Sequence, residues 1–267
     1  MLKDITLGQY FPGDTPAHRL DPRTKLLLVV MYIVALFSAA SILSYGLTAL
    51  ALLLCVRVSK VGWKPLVRGL KPVLFIVVFT GLLNMFMTPG EPLVKLGFLQ
   101  ITGAGVANAL RMVLRIMLLI MGTFLLTYTT SPIALTDGLE RLMEPLKKIR
   151  VPVHELAMVM SIALRFIPTL IEETDKIMSA QKARGADFES GSIVERAKAM
   201  LPILVPLFVS AFRRADELAV AMECRCYHGG EGRTRLRVLK YGKWDIAALT
   251  AGIALMAAVM ALGFFGL

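Results

Sequence analysis

The chain has 267 residues, enough for one large or two small domains. Its 56% hydrophobic and 18% charged residues, with a mean hydropathy of +0.67, exclude an ordinary soluble protein. The balance is also basic, 30 Lys and Arg against 19 Asp and Glu for a net +11. An oily, basic chain is either a membrane protein or a nucleic-acid binder with a large core, and the distribution of charge separates them.

In chain order, no charge falls within Leu26–Val56 (31 residues), Pro72–Gly90 (19), Ile116–Thr136 (21) or Ile246–Leu267 (22). About 20 apolar residues form a helix long enough to cross a ~30 Å hydrocarbon core. Four such runs have no use in a nucleic-acid binder, so the chain reads as an all-α integral membrane protein. As one helix, the first run would rise about 46 Å, too long for one crossing. It divides at Ser38-Ala39-Ala40-Ser41 and Ser44-Tyr45-Gly46. Five transmembrane helices follow, near residues 25–40, 43–57, 71–88, 105–130 and 245–266.

Between Ser131 and Lys243 the composition changes. These 113 residues carry 18 basic and 14 acidic side chains, 28% charged against 11% elsewhere. This predicts three parts: an N-terminal segment with four spans (1–130), a cytoplasmic helical coupling domain (131–243) inserted before the last span, and that span (244–267). Basic residues set orientation, because short cytoplasmic segments carry the excess of Lys and Arg. Segments 1–25, 57–71 and 131–243 hold 27 of the 30, and Arg57, Lys60, Lys64, Arg68 and Lys71 face no acid in their own loop. The N-terminus and the insert are therefore expected in the cytoplasm. Residues 1–24 lack an apolar h-region, so no cleaved signal peptide is expected. Cys55, Cys224 and Cys226 imply no disulfide framework.

Within the insert, Ser131-Pro132 is a helix start, and an apolar stripe over 132–148 predicts an amphipathic helix along the membrane. Residues 153–183 hold only nine uncharged residues in a row, Leu156–Leu164, which predicts a long cytoplasmic helix kinked at Pro168, its first half touching lipid or other spans. Residues 199–212 predict a buried or interfacial helix kinked at Pro202 and Pro206. A sixth span there is the competing reading.

Two segments of the insert align without gaps: Asp175–Arg184 and Asp216–Arg225. Ile177 and Leu218 stand seven residues before the arginine, and Ala180 and Ala221 four before it. Positions i, i+3 and i+7 share a helix face. Each copy thus presents an aliphatic residue, a small residue and a terminal Arg along one stripe. Such a stripe fits a groove that ends in carboxylates or carbonyls, which a guanidinium bridges. Duplication points to two similar grooves. The bland alternative is two amphipathic helices with solvated arginines.

Gly8-Gln-Tyr-Phe-Pro-Gly13 followed by His18-Arg-Leu-Asp-Pro-Arg-Thr-Lys25 resembles the N-terminal signature of the transmembrane T component (EcfT/CbiQ-like) of energy-coupling factor (ECF) transporters. Ala163–Pro168 with Gln181–Asp187 resembles that family's first Ala-Arg-Gly site, and Ala211–Glu217 with Ala221–Tyr227 the second. The resemblance implies a non-catalytic coupling subunit of a vitamin or micronutrient importer in a prokaryotic inner membrane. Its implied partners are two ABC-type ATPases and a substrate-binding S component, several S components being interchangeable. It further implies that the ATPases dock at Ala183-Arg184-Gly185 and Cys224-Arg225-Cys226, with ATP and Mg on the ATPases and no cofactor on this chain. The second site departs from the family pattern, with cysteines where small residues such as Ala and Gly are expected.

Other constellations are weaker. Cys224, Cys226 and His228 are soft ligands, but a spacing of two does not converge on a helix, and no metal site is expected. Arg111 and Arg115 share a face of the fourth span, which suggests an internal or S-component-facing role; snorkelling to headgroups is the alternative. His18 and Asp21 read as turn and cap residues rather than an acid–base pair. No G-x-x-x-x-G-K-[ST] occurs, so no P-loop ATPase is expected. A self-contained secondary transporter or channel is the second functional reading.

Overall fold

The computed structural model describes residues 10–89, 92–96, 99–188, 190, 192–230 and 238–264. They form two compact units, one of residues 10–142 with 238–264 and the other of residues 143–230.

The first unit holds the five helices expected to span. After a single turn, α1 (Pro16–Arg19), come α2 (Pro22–Ser38), α3 (Ile42–Ser59), α4 (Trp63–Met87), α5 (Gly103–Thr129) and, after a further helix, the last span. Asp21 caps α2, its carboxylate accepting the Arg23 N–H at 2.9 Å, with Pro22 in the first turn. Ser41 caps α3 by accepting from the Ser44 N–H, so the 31-residue uncharged run does break into two helices. Between α4 and α5 lies an antiparallel hairpin, β1 (Pro92–Leu96) with β2 (Leu99–Thr102), which hydropathy did not suggest. The Thr102 hydroxyl then caps α5, accepting from Gly105 N–H at 3.0 Å.

Ser131 opens α6 (Pro132–Leu142), with the Ala134 N–H donating to its hydroxyl at 3.3 Å. The amphipathic helix expected over 132–148 stops at Leu142, and a 3-10 helix, Glu144–Ile149, replaces its second half. Pro145 is the cause, because it brings no N–H to an α-helical ladder.

Two 31-residue helices make up most of the second unit, α7 (Val153–Ala183) and α8 (Ile193–Glu223). A reciprocal capping box starts α8: the Glu195 N–H donates to the Ser192 hydroxyl, and the Ser192 N–H donates to Glu195 at 2.7 Å. That helix runs unbroken through Pro202 and Pro206, far beyond the expected 199–212. The last span is α9 (Lys243–Phe264), in the first unit.

By length and composition, five described helices could cross a membrane: α3, α4, α5, α7 and α9. Two points differ from expectation. The 17-residue α2 rises about 26 Å, slightly short of a full crossing. It nevertheless packs against α9 and α5, and exposes Val30, Val34 and Phe37 outward. The second point is α7, expected as a cytoplasmic helix whose first half touches lipid or other spans, which also has the length and apolarity of a span. Arg165 interrupts its uncharged run but not its apolar character, so a count of uncharged residues alone underrates it.

The core of the first unit is small: Ala35, Leu36, Ala39, Tyr45, Leu52, Val56, Val61, Leu66, Leu118, Tyr128 and Val259 among the described residues. Small residues let the helices approach, as at Gly252, where a Cβ would stand 2.6 Å from Leu28 of α2. Large apolar side chains such as Leu54, Phe75, Phe79 and Met260 point outward. In water that would be a liability, but it suits a surface solvated by lipid.

Candidate functional site

The candidate site is built on α7 and α8. Gln181 of α7 donates from Nε2 to the Pro202 carbonyl of α8 at 3.3 Å, and Arg214 of α8 donates to Glu173 of α7 at 2.8 Å. Positions that rise along one helix meet positions that fall along the other, so the pair runs antiparallel. The Gln181 contact has a local cause. Pro206 has no N–H to give the Pro202 carbonyl one turn back, and Gln181 supplies that missing donor.

Glu173 and Arg214 each stand 11 residues before a motif arginine, Arg184 and Arg225. They therefore occupy equivalent places in the two copies of the repeat, and they bind each other. In an antiparallel pair the two arginines leave this contact in opposite directions, each about 16 Å along its helix at 1.5 Å per residue.

The two helix ends match in detail. After Arg184, the Gly185 N–H donates to Lys182 O and the Ala186 N–H to Gln181 O, both at 3.0 Å. After Arg225, the Cys226 N–H donates to Glu223 O at 2.8 Å and the Tyr227 N–H to Met222 O at 3.1 Å. Each is a Schellman ending with the next residue left-handed, Gly185 at φ +87 and Cys226 at φ +56. The same backbone turn thus follows both arginines.

Ala183, Arg184, Gly185, Cys224, Arg225 and Cys226 are all exposed, as are Ala180 and Ala221, while Ile177 and Leu218 are half-buried. Cys224, Cys226 and His228 stand exposed along one turn, and among the described residues no three of His, Cys, Asp or Glu converge as a metal site requires.

Arg111 and Arg115 lie in the other unit, on α5. Arg115 donates to Tyr45 Oη at 2.7 Å and to Ala39 O at 3.1 Å, and Arg111 to Ala40 O at 3.3 Å and Asn108 Oδ1 at 2.6 Å. These carbonyls follow the end of α2 and have no helical partner, so the pair closes the α2–α3 turn from outside. The sequence reading gave Glu173, Gln181 and Arg214 no role of their own, although the last two fall inside its motif segments. Extending the repeat two residues upstream of Asp175 and Asp216 brings in the first and last of these.

The family described as cobalt transport protein, CbiQ, matches residues 13–236. The chain belongs to this family. Among curated CbiQ relatives, the energy-coupling factor transporter transmembrane protein EcfT of Ruminiclostridium cellulolyticum is 53% identical over 256 residues, covering 96% of this chain and 95% of that one. EcfT of Acidaminococcus fermentans is 55% identical over 264 residues (99% and 97%), and that of Bacillus subtilis 50% over 258 (96% and 97%). The chain is thus a multi-pass membrane protein of the ECF transporter transmembrane type. Both motif arginines lie inside the stretch matched by CbiQ.

Proposed function

We propose that this chain is the coupling scaffold of an ECF-type importer, carrying force from two cytoplasmic ABC-type ATPases to a substrate-binding S component. The observation behind this reading is the pair of matching, exposed arginine ends set about the Glu173–Arg214 contact. Two matching hooks that leave this contact in opposite directions suit a partner that is itself a pair of similar subunits. Each ATPase receives one helix end, Arg184 or Arg225, with Ala180 or Ala221 letting the groove close on the stripe and Ile177 or Leu218 behind it.

The chemistry belongs to the partners. ATP and Mg are held by the ATPases, and this chain binds no cofactor and catalyses no reaction. Closing of the ATPase pair draws the two arginine ends together and turns α7 against α8 at their shared contact. The S component carries the vitamin or other micronutrient, and several S components share this scaffold. In this reading the N-terminus and the α7–α8 unit are cytoplasmic, α7 lies along the membrane rather than across it, and α2 is the first of five spans.

Affinity purification of the full chain in mild detergent tests this. Two ABC-type ATPases and a small, very hydrophobic protein are expected to co-purify. Substrate transport by the purified chain alone in liposomes would instead establish a self-contained carrier or channel.

A further inference from the structure

The N-terminal segment and the α3–α4 turn enclose a cleft of about 520 Å³ in the first unit, unrelated to the arginine ends. Hydrogen bonds fix its walls. The Phe11 N–H donates to Tyr128 O at 3.0 Å, Tyr128 Oη to Pro65 O at 3.2 Å, and Thr15 Oγ1 to Ser59 O at 3.4 Å. The His18 ring sits between Thr15 Oγ1 at 2.6 Å and Phe11 O at 3.0 Å. The cleft is therefore held in shape by residues of the N-terminal signature.

Its place in the fold limits what fills it. Residues 60–62 join α3 to α4, two helices able to cross a membrane, so this turn lies at a membrane surface. Trp63 beside it is 51% exposed and Phe11 in its wall 47%, as aromatic side chains at a headgroup layer are. Lys60 lines the cleft in a left-handed conformation, φ +54, that disfavours a non-glycine residue. Arg57 and Lys64 flank it in sequence. All three are exposed, and none has a carboxylate partner among the described residues. The remaining lining mixes Pro12, Pro16 and Val61 with Asp14, Thr15 and Ser59.

We infer that this cleft holds the headgroup of an anionic phospholipid bearing hydroxyl groups. Lys60 takes the phosphodiester, and Arg57 and Lys64 add positive field at the membrane surface. Asp14 and Thr15 accept from the headgroup hydroxyls, an arrangement that a bare phosphate would not use. Phe11 and Trp63 cover the glycerol and the first acyl carbons. The bound lipid ties the N-terminal segment to the α3–α4 turn. The inference rests on the reading of α3 and α4 as spans, not on ATPase docking.

Native mass spectrometry of the detergent-released full chain, offered equal phosphatidylglycerol and phosphatidylcholine, tests it. Phosphatidylglycerol is expected to be retained selectively, and millimolar inorganic phosphate should not displace it. Lys60→Gly removes the ammonium while suiting the left-handed backbone, so the fold is kept. With Lys64→Ala added, retention should fall about thirtyfold, and Lys147→Ala with Lys148→Ala should leave it unchanged. Equal retention of the two lipids would overturn the inference, as would unchanged retention in the Lys60→Gly, Lys64→Ala chain. Displacement by phosphate would overturn it in favour of a soluble anion.

Discussion

Glu173 and Arg214 occupy the same position in two copies of a repeat and bind each other at 2.8 Å. With side chains 22% and 34% exposed, the pair is a modest, solvent-screened tie. Its value lies in register, because it fixes where α8 meets α7. Reversing one charge, Glu173→Arg, sets two guanidinium groups together and should lower both thermal stability and coupled uptake. The swap Glu173→Arg with Arg214→Glu should recover most of each, which a double-mutant cycle would read as positive coupling.

The Gln181–Pro202 contact predicts a conditional dependence. Gln181→Leu removes the side-chain donor to the Pro202 carbonyl, an exposed bond whose loss should cost about 0.5 kcal/mol, and loosens the helix end that carries Arg184. In Pro206→Ala the new N–H completes the α8 ladder, so Gln181→Leu should then cost little. Melting curves of the four variants check this, and equal losses in both backgrounds would show that Gln181 acts elsewhere.

Cys226 holds the left-handed backbone that Gly185 holds at the other end. A non-glycine residue there is disfavoured by about 1 kcal/mol. Cys226→Gly should therefore be tolerated or slightly stabilising, with ATPase association kept. Gly185→Ala, at φ +87, should destabilise by about 1 kcal/mol and weaken association at the first end. Retention of the ATPases on the affinity-purified variants separates the two outcomes.

Asp21 gives a pH dependence. Its side chain is 2% exposed and pairs with Arg23 at 2.8 Å, while its own N–H donates to Asp245 at 2.8 Å, tying α2 to α9. Burial pushes the Asp21 pKa up, but the hydrogen bonds and charge of Arg23 outweigh it and hold the carboxyl below its usual range. As pH falls the unfolded chain takes this proton first, so the Asp21 contribution is full above about pH 4 and lost as pH drops through the folded value. Melting temperatures between pH 6 and 3 should fall less steeply for Asp21→Asn than for the parent chain.

Much of the fold was legible because lipid solvation writes long, uncharged runs and because Asp21-Pro22 and Ser131-Pro132 are local helix starts. The repeat was legible as spacing, and the matching Schellman ends give it a structural form. What escaped depends on partners distant in sequence. Nothing near Arg115 names Tyr45 and the Ala39 carbonyl as its acceptors. Nothing near Pro206 says that Gln181 will cover the carbonyl it leaves free. Pro145 stops α6, whereas Pro202 and Pro206, expected as kinks, sit inside a continuous α8. At Pro206 the neighbouring helix fills the gap, with Gln181 donating to the Pro202 carbonyl.

The central claim is that two arginine ends, one per copy of the repeat, hold the ATPases. Its most direct measurement is ATPase co-purification with the Arg184→Glu, Arg225→Glu chain, alongside coupled uptake and a check of membrane insertion. The account predicts normal insertion with ATPase association and uptake both lost, and partial loss for either single variant. Normal ATPase association and uptake in the double variant would contradict it.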